Sequence, residues 1–159
     1  MTFDSREFRD ALGCFATGVC VITGQADGVE PFGMTVNSFA SVSLDPPLIL
    51  WSLQNDSDMF EAFDSCRRWA VNVLREGQQD LSNQYAVKGK HGLLAAHHEL
   101  ADTGIPVMPD SLVSFECEEV ARHPGGDHVI LVAQVLNLTR RDAGKPLLFC
   151  SGSYGQLAG

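Results

Sequence analysis

Gly33-Met34-Thr35-Val36-Asn37-Ser38-Phe39-Ala40-Ser41-Val42-Ser43, running into Leu44-Asp45-Pro46-Pro47-Leu48-Ile49-Leu50, is the stretch from which the fold is read. Apolar residues alternate with hydroxyls and one amide, and no charge appears before Asp45. That pattern predicts a strand with one wet face. Pro46 and Pro47 lack N–H groups and close it, so 31–43 and 48–53 read as two strands of a meander. The wet face admits two readings. It is a half-exposed strand with Thr and Ser toward solvent, or it lines a site for a neutral heteroaromatic ring. Hydroxyls, an amide and backbone groups can meet mixed donors and acceptors without desolvating a charge.

Upstream, the β-branched run Val19 to Thr23 ends at Asp27-Gly28, a hairpin-turn dipeptide. Ahead of it, Phe8, Ala11, Leu12 and Phe15 fall on one helical face, with Asp4 or Ser5 as cap and an end near Gly18. Downstream, 57–63 and 80–87 read as short helices, and 69–74 as a half-buried strand. Residues 88–109 read as a long loop, which suggests a lid. Strands at 113–121 and 128–138 flank His123-Pro124-Gly125-Gly126-Asp127, and a last strand covers 146–150. Many short strands with brief helices predict a mostly β fold, an antiparallel barrel closed or nearly closed, in a single domain over 1–159.

The balance of charge narrows the function. Eleven Lys and Arg against twenty Asp and Glu give a net charge of −9, so nucleic acid and anionic membrane are poor partners. No apolar run is long enough to span a bilayer and the first residues do not read as a secretion signal, so a cytoplasmic protein is expected. The five cysteines contain no Cys-x-x-Cys pair and read as small core hydrophobes. His91, His97, His98 and His123 show no ligand spacing, so no metal is expected and they read as solvated loop residues. Trp51 and Trp69 read as core aromatics, although Trp51 at a strand end could stack on a ring.

Several ordered motifs together resemble the short flavin reductase family, the reductase components of two-component flavin monooxygenases. They are Ala16-Thr17-Gly18-Val19, the stretch Gly33 to Leu50, Phe63-Asp64-Ser65-Cys66-Arg67-Arg68-Trp69-Ala70-Val71-Asn72-Val73-Leu74, Gly126-Asp127-His128, and Pro146-Leu147-Leu148-Phe149 with Tyr154. The resemblance covers nearly the whole chain and is weakest over 91–109. It is nearest to reductases that serve aromatic polyketide biosynthesis.

The resemblance implies an FMN-binding split β-barrel, antiparallel and Greek-key-like, usually a homodimer, that passes a hydride from NADH or NADPH to FMN or FAD. Reduced flavin would go to a partner monooxygenase. The ring would meet Gly33, Met34, Thr35, Val36, Asn37 and Ser38, with Leu50, Trp51 and Ser52 beside it. Ser57 falls at a phosphate contact, and Lys88 is the nearest cation. Gly126, His128 and Tyr154 fall on the nicotinamide side, with His128 as the catalytic residue that orients the nicotinamide. Cys20, Tyr85 and the pair Ala133-Gln134 depart from the family pattern, where Thr, Phe and Gly-Glu are usual, and only the last bears on nicotinamide. The tail after Tyr154 is short. A non-catalytic flavin carrier on the same barrel is the alternative. A pyridoxamine-phosphate type oxidase would need a basic cluster that this acidic chain does not show.

Overall fold

The computed structural model describes residues 2–158. Its framework is one antiparallel sheet of seven strands: β2 (Cys20–Gly24), β3 (Phe32–Val36), β4 (Ala40–Leu44), β5 (Pro47–Gln54), β6 (Arg68–Val73), β9 (Val113–Gly125) and β10 (His128–Arg140). Across the sheet the order is β3-β2-β6-β9-β10-β5-β4. The two edge strands are thus consecutive in the chain, joined by residues 37–39, so the sheet curls round on itself yet stays unpaired between β3 and β4. This is the expected barrel, split rather than closed.

Two small sheets complete it. One joins β1 (Thr17–Gly18), β11 (Leu148–Cys150) and β12 (Ser153–Gly155); the other is the hairpin of β7 (Glu99–Leu100) and β8 (Pro106–Val107). The stretch 88–109, expected as plain loop, therefore holds a hairpin, and β12 was not anticipated. The helices are α1 (Ser5–Gly13), α2 (Phe60–Ser65) and α3 (Gln79–Ala86).

The core alternates as strand geometry requires. Along β5, Ile49, Trp51 and Leu53 point inward while the residues between them are half-buried. Trp51 meets Trp69 edge to face, centroids 5.7 Å apart, and Phe63 of α2 at 5.0 Å. A second cluster of Val19, Val21, Leu74, Tyr85 and Met108 fills the space beneath α3. β6 is buried on both faces, Trp69 and Val71 toward Trp51 and Ala70 against Ile105 and Val107, where the sequence suggested one.

Other expectations need correcting. The strand read over 31–43 is two strands, interrupted at 37–39. α1 is capped by Asp4, which accepts from the N–H groups of Arg6 and Glu7, but ends at Gly13 instead of near Gly18. Its apolar face is not covered by the rest of the chain: Phe8 and Leu12 are exposed, as is Phe15 just past its end. Of the cysteines, Cys20, Cys66 and Cys117 are buried, whereas Cys14 is exposed and Cys150 only half-buried. Burial pushes the Cys20 thiol up to about 12, and burial followed by the nearby Glu116 does the same to Cys117.

Candidate active site

The split in the barrel opens onto a cavity of about 530 Å³. Of the fourteen residues expected at the site, nine line it: Met34, Thr35, Val36, Asn37, Ser38, Ser52, Ser57, Lys88 and His128. Residues not expected at the site complete the wall, chiefly Asp56, Asp58 and His91.

One side is the outer edge of β3. Gly33 donates its N–H to the His91 carbonyl at 2.8 Å, and Pro31 accepts from Leu93 N–H at 2.9 Å, so alternate residues turn their backbone groups away from β2. By the same alternation Thr35 is the next to present its N–H and carbonyl outward, along the cavity wall. The Thr35 hydroxyl donates to the Ser82 carbonyl at 2.7 Å, which ties β3 to α3.

Ser38 secures the opposite side. Ala40 pairs with Leu50 and Ser41 with Ile49, so continuing the register would set residue 38 opposite Ser52. No backbone ladder forms there. Instead the Ser38 hydroxyl donates to the Ser52 carbonyl at 3.1 Å and accepts its N–H at 3.0 Å, replacing one step of sheet with a side chain. The chain can therefore leave the sheet at 37–39 with those polar groups satisfied.

Beyond β5, Ser57 accepts Met59 N–H at 3.2 Å in a turn that precedes α2. Next to it, the Asp58 carboxylate accepts Gly89 N–H at 2.7 Å and meets Nε2 of His91 at 3.2 Å, while Nδ1 of His91 lies 3.2 Å from the Gly33 carbonyl. Its partial burial works to raise the Asp58 pKa, but the Gly89 N–H and His91 outweigh it and hold the carboxyl below its usual value. His91 is only 9% exposed, which corrects its reading as a solvated loop residue. Its two contacts lie more than 30 residues away in sequence, so no local pattern announces it. His97 is likewise engaged, its Nδ1 2.9 Å from the Tyr85 hydroxyl.

At the start of β10, His128 sets Nδ1 2.7 Å from the Asp127 carboxylate. That bond and the charge of His128 hold the Asp127 carboxyl below its usual value. Among the described residues, no group of three or more His, Cys, Asp or Glu is placed to hold a metal ion.

Five expected residues lie off this cavity. Trp51 is wholly buried in the core, because β5 alternates and turns Ser52, not Trp51, toward the opening. Leu50 is half-buried and does not line the cavity. Gly33 packs behind the wall: a Cβ there would come within 2.9 Å of Leu93 and 3.2 Å of Val21. Gly126, in a left-handed turn at φ +75°, lines an adjoining hollow of about 330 Å³ shared with His128, Arg122 and His123. Tyr154 lines another of about 220 Å³ that shares Thr35, Val36 and Asn37 with the main cavity, and its hydroxyl is bonded to Ser82 and Asn83. Of the departing pair, Ala133 sits in the core and Gln134 is exposed, both away from the cavity.

Known proteins give this geometry a context. Residues 12–158 match the flavin reductase like domain. An FMN reductase (NADH), SmoA, from Agrobacterium fabrum is 46% identical over 98% of this chain and 87% of its own length. The reductase subunit HsaB of a flavin-dependent monooxygenase from Mycobacterium tuberculosis is 37% identical over 95% and 81% respectively. The solved structure of the NADH:FAD oxidoreductase SgcE6 from Streptomyces globisporus, in complex with NAD and FAD fragments, superposes with a TM-score of 0.90 at 34% identity, covering 98% of this chain and 93% of that one. With a family match over nearly its full length and a split antiparallel barrel open at the expected strand, the chain belongs to the flavin reductase like domain family.

Proposed function

We propose that the chain, acting as one flavin reductase-like domain, passes a hydride from NADH or NADPH to FMN, with FAD as a second acceptor, and supplies reduced flavin to a partner monooxygenase. The observation that carries this reading is the cavity along the edge of β3, where the uncharged donors and acceptors of Thr35, Asn37, Ser38 and Ser52 face a turn bearing Ser57, with Lys88 nearby. The residues present fit a flavin. Backbone groups of Thr35 with Asn37 and Ser38 suit the mixed polar edge of the ring, Met34 and Val36 its apolar faces, and Ser57 with Lys88 a phosphate. When bound, the flavin supplies the hydride-accepting atom, N5 of its ring.

The chain's own residues then do the positioning. β3 fixes the ring edge through main-chain groups that cannot rotate away. Backbone donors at the wall favour negative charge as it develops on the ring. The carboxylate of Asp127 orients His128 so that Nε2 would be left to meet the nicotinamide amide. The relatives support the wider reading, since their names are those of FMN reductases and monooxygenase reductase subunits. The exposed Phe8 and Leu12 of α1, with Phe15 just beyond it, are the apolar surface that a second copy would cover in a homodimer. No helix among the described residues is long and apolar enough to cross a membrane, which agrees with a cytoplasmic setting.

The test is purified protein mixed with NADH or NADPH and with FMN or FAD. Flavin-dependent loss of nicotinamide absorbance is expected. A yellow protein that binds flavin without oxidising nicotinamide would make the chain a carrier instead.

A further inference from the structure

The cavity wall carries more acidic charge than a phosphate should tolerate. Asp56 and Asp58 flank Ser57, and among the described residues Lys88 is the only lysine or arginine lining the cavity. Two aspartates beside a phosphate contact would repel a dianionic phosphomonoester, unless one of them is neutralised.

His91 does this. Its Nε2 faces the Asp58 carboxylate and its Nδ1 faces the Gly33 carbonyl. The Gly33 carbonyl and an ionised Asp58 both accept, so only the imidazolium, with a hydrogen on each nitrogen, satisfies both contacts at once. The pair cancels the charge of Asp58, while Gly89 N–H occupies the other carboxylate oxygen. The same imidazole also has a geometric role. It belongs to a segment whose carbonyl accepts Gly33 N–H at 2.8 Å, so residue 91 meets residue 33 through both main chain and side chain. A single residue thus joins the ring-seating strand, the Ser57 turn and the loop that bears Lys88.

We propose that His91 is a positioning residue that makes this cavity selective for phosphate-bearing flavin: it neutralises Asp58 and locks the Ser57 and Lys88 side of the site to β3. This rests on the flavin reading above and names the part of the ligand that the pair governs. His91 touches neither ring nor nicotinamide in this account, so its effect belongs to flavin affinity and not to the hydride step.

The experiment titrates the intact protein with FMN and with riboflavin, which differ only by the phosphate, following quenching of flavin fluorescence. Wild-type protein is expected to prefer FMN. His91→Phe keeps a flat ring without hydrogen-bonding atoms and exposes the Asp58 charge. It should lower FMN affinity about tenfold, the scale of one partly screened charge contact, and leave riboflavin unchanged. Adding Asp58→Asn to that variant removes the uncompensated charge and should restore FMN binding. Asp58→Asn alone should bind FMN at least as tightly as wild type, which provides a reading even if His91→Phe does not fold.

A merely structural histidine would lower both affinities together and would not be rescued by Asp58→Asn; either result overturns the proposal. So does Asp58→Asn protein with weakened FMN binding and intact riboflavin binding. Wild-type protein that binds neither flavin overturns the flavin reading as well. Wild-type protein that prefers FMN, with a His91→Phe variant that keeps the same preference, overturns this inference alone.

Discussion

Replacing Ser38 by Ala tests whether the split in the barrel is held by a hydroxyl. Ser38 stands where the β4–β5 ladder would continue, and its Oγ makes two bonds to the backbone of Ser52, at 3.0 and 3.1 Å. Each such bond contributes about 1 kcal/mol net. Ser52 is half-buried, so water can satisfy part of what is lost and the penalty for orphaned groups is reduced. The expected cost is about 2 kcal/mol, which for a domain of this size lowers Tm by about 4–8 °C. Thermal and urea unfolding without flavin measure it, and FMN titration measures the accompanying loss of affinity as 37–39 loosens. Ser38→Thr keeps the hydroxyl and should recover most of the stability. Unfolding of Ser38→Ala at the wild-type midpoint would refute the ladder argument, as would equal losses in the Ala and Thr variants.

His128→Ala should raise the KM for NADH by about tenfold while leaving the FMN Kd unchanged, because the imidazole lies at the entrance of β10 and not on β3; steady-state kinetics with flavin titration separates the two. Ser57→Asp should weaken FMN and spare riboflavin, since only FMN brings a phosphate into like-charge repulsion, and equilibrium titration of both reads this directly. A thiol reagent at neutral pH should label Cys14 and Cys150 in the folded protein, and Cys20, Cys66 and Cys117 only after denaturation, as followed by mass spectrometry. Burial raises the pKa of each of those three thiols, to about 12 for Cys20 and Cys117, so almost no thiolate is present to react.

The residues of the cavity were legible to different degrees, and the reasons are physical. Thr35, Asn37 and Ser38 showed themselves as uncharged polar positions alternating with or following the apolar Met34 and Val36. The interruption at 37–39 did not show, because Asn37, Ser38 and Phe39 contain no glycine or proline, and the break is stabilised by a side chain reaching a residue 14 positions away. Trp51 was open to correction from sequence alone. Ile49, Trp51 and Leu53 share a parity that puts all three in the core and leaves Ser52 facing the opening. His91 carried no local signal, since its meaning depends on Gly33 and Asp58 being folded against it. The helical period of α1 was read correctly, but periodicity identifies an apolar face without saying what covers it.

The free edge of β3 has an evolutionary consequence. A wall built from main-chain N–H and carbonyl groups is inherited with the strand and survives most substitutions along it, because exchanging a side chain leaves the peptide row in place. Under the proposed flavin reading, ring recognition would thereby be insulated from sequence drift. The side chains around it, Ser57, Lys88, His91 and His128 among them, would be free to diverge, and nucleotide preference could change without rebuilding the seat on which the ring rests.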